Sequence, residues 1–196
     1  MKRLILASAS PRRAALLRQI GVDFRIVKSN FPEPQINDEN GVEDIALAKA
    51  RAVALRFPEE LILGADTVVI CGKEILGKPR DQQEARRMLM LLSGRSHKVV
   101  TGVALVKGAK EISAREETTV WMHPLGEEEI DAYISTGEPM DKAGSYAIQG
   151  RGAVFVHKIE GCFFNVVGLP LALTANLLKQ CGFSLWEGRS YVEGGD

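Results

Sequence analysis

The feature that most constrains this chain is the handover at its start. An apolar run at residues 4–7 passes through Ser8 and Ala9 into Ser10-Pro11, and Ala14, Leu16 and Leu17 follow at helical spacing. A capping serine with proline at the first helical position marks a strand that turns directly into a helix, ending near Gly21. The alternation then repeats. Residues 24–27 alternate as a strand, and residues 29–41, with their prolines and asparagines, form a loop. Residues 42–57 form an alanine-rich helix closed by Pro58. Residues 61–63 and 68–71 are β-like runs separated by Gly64-Ala65-Asp66-Thr67, and residues 81–92 are helical up to Ser93-Gly94. A hairpin is expected over 99–107 and 112–122, around Gly108. Residues 126–135 form a short acidic helix, 153–159 a strand, and 169–180 a closing helix. Residues 137–152 carry four glycines and one proline, which marks a functional or flexible loop. Strands alternating with helices, interrupted by a hairpin, give an α/β fold with a mixed sheet.

Composition narrows the function. The 196 residues suit one domain or two small ones. Lysine and arginine total 25, as do aspartate and glutamate, so the net charge is zero. That argues against broad nucleic-acid or membrane-surface binding and leaves room for a local basic patch. Cys71, Cys162 and Cys181 are odd in number, with no CxxC pair, so neither a disulfide framework nor structural zinc is expected; a cytoplasmic setting is. Lys2-Arg3 and the apolar run after it imitate a secretory signal, but the run is too short and proline and arginines follow at once. The longest apolar stretch, residues 163–178, is broken by Asn165, Gly168, Pro170 and Asn176, too often to cross a membrane.

Several residues could carry chemistry. Ser8 to Arg13 lie where a strand meets a helix N-terminus, a natural anion site. Arg12 and Arg13 fall in the first helical turn, where a cation is disfavoured by about 0.3–1 kcal/mol each. A bound phosphate would account for them, and so would simple solvation. Asp66 and Thr67 follow an apolar strand, where a carboxylate can hold a metal, activate water, or merely bond its own turn. Lys49 shares a helix face with Ile45, Ala46, Ala52 and Val53, and so either snorkels or meets a buried anion. Lys78 sits beside Pro79, Glu33 between Pro32 and Pro34, and Gln149 in a glycine-rich loop; each also reads as a surface residue. Asp141-Lys142 reads as a surface pair. His97, His123 and His157 share no metal-ligand spacing. No Walker-type loop and no GxSxG elbow is present.

Taken in order, Ser8-Ala9-Ser10-Pro11-Arg12-Arg13, Gly64-Ala65-Asp66-Thr67, Gly77-Lys78-Pro79, Ser93-Gly94-Arg95-Ser96-His97, Asp141 to Tyr146 and Asn165 to Pro170 resemble one family. It is the Maf-type nucleotide pyrophosphatases, once called septum-formation inhibitors, and the resemblance covers about residues 3–181. It implies one domain over 1–182 with a tail at 183–196. It implies a mixed twisted sheet with flanking helices, two lobes around a deep cleft, like the inosine triphosphatase fold. Homodimers are common in the family. The implied activity is hydrolysis of a nucleoside triphosphate to the monophosphate and pyrophosphate with a divalent cation. By position, the catalytic carboxylate falls on Asp66 and its acidic partner on Glu33. The phosphate-binding set falls on Ser8, Arg12, Arg13, Lys49 and Lys78. The base-discriminating positions fall on Arg13, Thr67 and Gln149, and these residue types resemble the branch that prefers dTTP and UTP.

The chemistry fits that frame. A triphosphate carries about four negative charges and needs cations on several sides. Glu33 and Asp66 would hold Mg²⁺ or Mn²⁺ through oxygen, and Asp66 would accept the proton of water attacking the α-phosphorus. Three rivals stand beside this expectation. One is the same reaction on modified or purine nucleotides. Another is a non-catalytic nucleotide sensor or division-linked interaction protein. An RNA-binding α/β domain is the third, opposed by zero net charge and few aromatics.

Overall fold

The computed structural model describes residues 4–32 and 41–185. Strand β1 (Leu4–Leu6) is wholly buried, and helix α1 (Pro11–Gln19) starts as its sequence dictates, with Ser10 as the N-cap and Pro11 in the first turn. β2 (Phe24–Ile26) and β3 (Leu61–Cys71) flank β1 in parallel. Helix α2 (Gly41–Ala54) makes the crossover between β2 and β3. The short strand β4 (Glu74–Leu76) folds back on the end of β3. After α3 (Gln82–Leu92), the long strands β5 (Ser96–Lys107) and β6 (Lys110–Met122) form the expected hairpin, with Gly108 in the left-handed conformation at its turn. α4 (Glu127–Ser135), β7 (Val156–Glu160), α5 (Phe163–Val167) and α6 (Leu171–Gln180) follow among the described residues. Among the described residues the sheet has seven strands in the order β2-β1-β3-β5-β6-β7, with β4 on β3, and it is mixed, as expected.

Two sequence expectations are corrected. Gly64-Ala65-Asp66-Thr67 is not a turn between two strands. β3 runs unbroken, with Asp66 opposite Gly102 of β5. The glycine is there for a helix: a Cβ on Gly64 would lie 2.1 Å from the Ala46 carbonyl, and one on Gly102 would lie 2.5 Å from that of Val42. α2 therefore lies directly on the backbone of β3 and β5. The second correction concerns residues 153–159. Arg151 to Phe155 form a 3₁₀ turn, and extension begins only at Val156. The Arg151 and Gly152 N–H groups donate to the Glu138 carboxylate at 3.0 and 3.1 Å, which bends the chain back toward α4.

The core falls into separate clusters. On the sheet face away from α2, one cluster joins Leu61, Leu63 and Ala65 to α1 and α6, and it takes in Phe183 and Leu185. A second joins Val69, Val99 and Val120 to α3 and α4. The first leaves β3 at Ala65 and the second begins at Val69, so Thr67 stands between the two. This gap gives the expected division into two lobes its physical meaning.

One core residue sets a pH limit. His97 on β5 is buried, and its Nε2 lies 2.8 Å from the Tyr146 hydroxyl. Burial pushes its pKa down to about 4. Between about pH 6.5 and 4 the unfolded histidine binds a proton that the folded one refuses, so stability falls as pH drops through this window. The full loss is about 3 kcal/mol. Urea midpoints should fall from pH 7 to pH 5, and a His97→Gln variant, weaker at pH 7, should show a flatter pH curve. Parallel curves would contradict the assignment.

Candidate active site

A cleft of about 400 Å³ opens where the two lobes meet. Eight of the nine residues singled out in the sequence line it: Ser8, Arg12 and Arg13 from the start of α1, Lys49 from α2, Asp66 and Thr67 from β3, and Lys78 and Gln149 from loops. The ninth, Glu33, lies outside the described residues. Alternation along β3 explains how Asp66 and Thr67 act in different directions. Asp66 shares the α2 face with Gly64, and Thr67 shares the opposite face with Ala65.

Lys49 does not snorkel. It is buried, and its Nζ sits 2.6 Å from Asp66 Oδ1. Close approach of α2 at Gly64 is what brings the lysine this near. Asp66 keeps its second carboxylate oxygen: among the described residues no hydrogen bond is made to Oδ2.

Arg13 spans the floor of the cleft. Its Nε donates to the Gly168 carbonyl at 2.8 Å, Nη1 to Ser8 Oγ at 3.3 Å and Nη2 to Thr67 Oγ1 at 3.0 Å. A side chain fixed at three points presents its charge without rearranging when an anion arrives. Arg12 reaches across the cleft instead, with Nη1 3.1 Å from Asp141 Oδ2. Asp141 is therefore more than half of a surface pair. It bridges Arg12 and Lys142, and although burial raises its pKa, those two cations bring it below the usual carboxylate value.

The loop carrying Gln149 is held from beneath. Tyr133 donates to Glu138 at 2.9 Å and accepts from the Ala147 N–H at 3.1 Å, tying α4 to the loop. Lys28, Ser29 and Phe31, just after β2, also reach the cleft. Nothing in their sequence spacing marked them, because the crossover from β2 is what brings them there. In all, six cationic side chains and two carboxylates line the cleft among the described residues. That surplus suits a polyanion of about four charges, in a protein with no net charge.

The site so defined is a cationic cleft of about 400 Å³ with a carboxylate, Asp66, paired to a buried lysine, in a mixed α/β fold. The sequence matches the family model of Maf-like proteins over residues 3–181, and the chain belongs to that family. It is 51% identical over 191 residues to a dTTP/UTP pyrophosphatase of Symbiobacterium thermophilum, covering 96% of this chain and 98% of that one. It is 50% identical to one of a Geobacillus species, covering 93% and 100%, and 47% identical to one of Methanosarcina barkeri, covering 95% and 98%. Among solved structures, the Staphylococcus aureus Ham1 protein aligns with a TM-score of 0.45 at 13% identity, over 79% of this chain and 80% of that one.

Proposed function

We propose that the cleft hydrolyses nucleoside triphosphates, dTTP and UTP above others, to the monophosphate and pyrophosphate. The observation that carries this is Asp66, one oxygen held by buried Lys49 at 2.6 Å, set in a cleft where cations outnumber carboxylates. A site built only to bind a triphosphate needs the cations. It has no use for a carboxylate among them that can take a proton.

The names of the three relatives, with matches spanning nearly whole chains, support the substrate pair. Ser8, Arg12, Arg13, Lys49 and Lys78 would bind the phosphates. Water would add to the α-phosphorus, giving its proton to Asp66, while the bond to pyrophosphate breaks. Lys49 keeps Asp66 aimed through the 2.6 Å contact, and the helix N-terminus at Ser10 offers N–H groups to the phosphates. Thr67, Gln149 and Arg13 would select the base.

The donor set suits a small divalent cation. Mg²⁺ or Mn²⁺ takes oxygen ligands and commonly binds through one or two carboxylates together with substrate phosphates. Asp66 has an oxygen to give, and Glu33 would be its partner. Such an ion would neutralise phosphoryl charge and lower the pKa of nearby water. This reading makes residues 1–182 one catalytic domain and residues 183–196 a tail, acting on cytoplasmic nucleotide pools. Among the described residues no helix is long and apolar enough to cross a membrane.

The test is pyrophosphate release from a panel of nucleoside triphosphates with Mg²⁺, with Mn²⁺ and with chelator. Metal-dependent turnover of dTTP and UTP, with purines far behind, is the expected result. Turnover of a purine or modified nucleotide alone would remove the base assignment, and no turnover would leave a nucleotide sensor.

A further inference from the structure

The hydroxyl groups at the floor of the cleft have a closed proton inventory. Thr101 on β5 is fully buried and lies behind Thr67. Its one proton goes to the Asn165 carbonyl at 3.1 Å, because a backbone carbonyl can only accept. Thr67 Oγ1 lies 3.0 Å from Thr101 Oγ1. With the Thr101 proton committed, Thr67 must donate in that contact. Thr67 also accepts from Arg13 Nη2. Toward the cleft, Thr67 therefore has a lone pair and no proton.

Asn165 keeps this direction fixed. It is fully buried, and its two Nδ2 protons go to the Val99 carbonyl at 2.9 Å and to Thr118 Oγ1 at 3.0 Å. Thr118 donates in turn to the Cys162 carbonyl at 3.0 Å. Ser8 has the opposite polarity. Its Oγ accepts from the Ser10 N–H at 3.1 Å and from Arg13 Nη1, which leaves its proton for a ligand. One guanidinium thus stands between a hydroxyl set to donate and a hydroxyl set to accept.

We propose that Thr101 is a positioning residue for base selection. It holds the Thr67 hydroxyl as an acceptor, and with the base seated so that N3 meets that hydroxyl, a pose that is part of the proposal, the site takes a pyrimidine whose N3 carries a proton, uracil or thymine. Cytosine offers a bare N3 lone pair at that place, and two acceptors facing each other without water are rejected. The inference rests on the reading that this cleft takes pyrimidine triphosphates.

The experiment compares kcat/KM for UTP and CTP in wild type, Thr101→Val and Thr101→Ser. Wild type should favour UTP by roughly 10²-fold. In Thr101→Val the Thr67 proton is released, the hydroxyl can donate to cytosine, and the preference should fall below about fivefold. Thr101→Ser should restore it. A merely structural role would lower both substrates together and leave the ratio unmoved, and that result would overturn the proposal. Should Thr101→Val fail to fold, wild type with 3-methyl-UTP, which has no N3 proton, decides. Loss comparable to that with CTP supports the acceptor, and retained turnover overturns it. Equal use of UTP and CTP by wild type would overturn the inference alone. No turnover of either would remove the functional reading beneath it.

Discussion

Asp66→Asn should lower turnover of dTTP and UTP by roughly 10²–10⁴-fold, the usual contribution of a positioned acid–base group. Asparagine keeps an oxygen where Lys49 Nζ now donates at 2.6 Å, so the buried ammonium retains a partner and the fold survives. What it loses is the negative charge and the capacity to accept a proton from water. Measured with chelator, so that no divalent cation bridges Asp66 and the phosphates, binding of a non-hydrolysable UTP analogue should change little, because the cationic side chains of the cleft are untouched. Titration of that analogue beside steady-state kinetics separates the two effects. Unchanged turnover would remove Asp66 from the chemistry.

Gly64→Ala should cost more stability than Gly102→Ala, because its added methyl group makes the closer approach to backbone, 2.1 Å against 2.5 Å. The added carbon would lie 2.1 Å from the Ala46 carbonyl and 3.0 Å from the Ala50 amide, both backbone atoms of α2. No rotamer change relieves such a contact, so the helix must move away from β3. Overpacking costs about 1–3 kcal/mol, and a clash with backbone belongs at the upper end. A loss of about 3 kcal/mol lowers Tm by roughly 6–12 °C for a chain of this size. The same displacement carries Lys49 away from Asp66, so activity should fall in whatever fraction still folds. Gly77→Ala is the control, since nothing lies within 4 Å of its added methyl group. Equal thermal melts for the two variants would contradict the packing account.

Much of the fold was legible because its signals are local. Ser10-Pro11 caps α1, Asp81 caps α3, and Gly108 turns the hairpin, each by chemistry confined to a few residues. Gly64-Ala65-Asp66-Thr67 misled for a physical reason. Glycine beside aspartate has turn chemistry, and only the helix lying on Gly64 shows that it marks a close approach instead. The strand expected at 153–159 failed similarly, since the Glu138 carboxylate that holds the N–H groups of Arg151 and Gly152 lies 13 and 14 residues back, outside the segment whose pattern suggested a strand.

The cleft residues were found through their motifs rather than through periodicity. Lys49 on an apolar stripe fitted snorkelling as well as ion pairing until Asp66 stood opposite it. Thr101 gave no sign in the sequence, and Asn165 stood there only as the first residue of a motif, with no role attached. A threonine in a valine-rich strand has ordinary β-propensity, and its role depends on which atom receives its proton. Asp141 was misleading for a related reason: its partner Arg12 is 129 residues away.

The most direct test of the central claim is the UTP reaction run in ¹⁸O-labelled water, with the products separated and weighed by mass spectrometry. Attack at the α-phosphorus predicts labelled UMP and unlabelled pyrophosphate in equal amounts. Label in pyrophosphate, or release of UDP with inorganic phosphate, would contradict it.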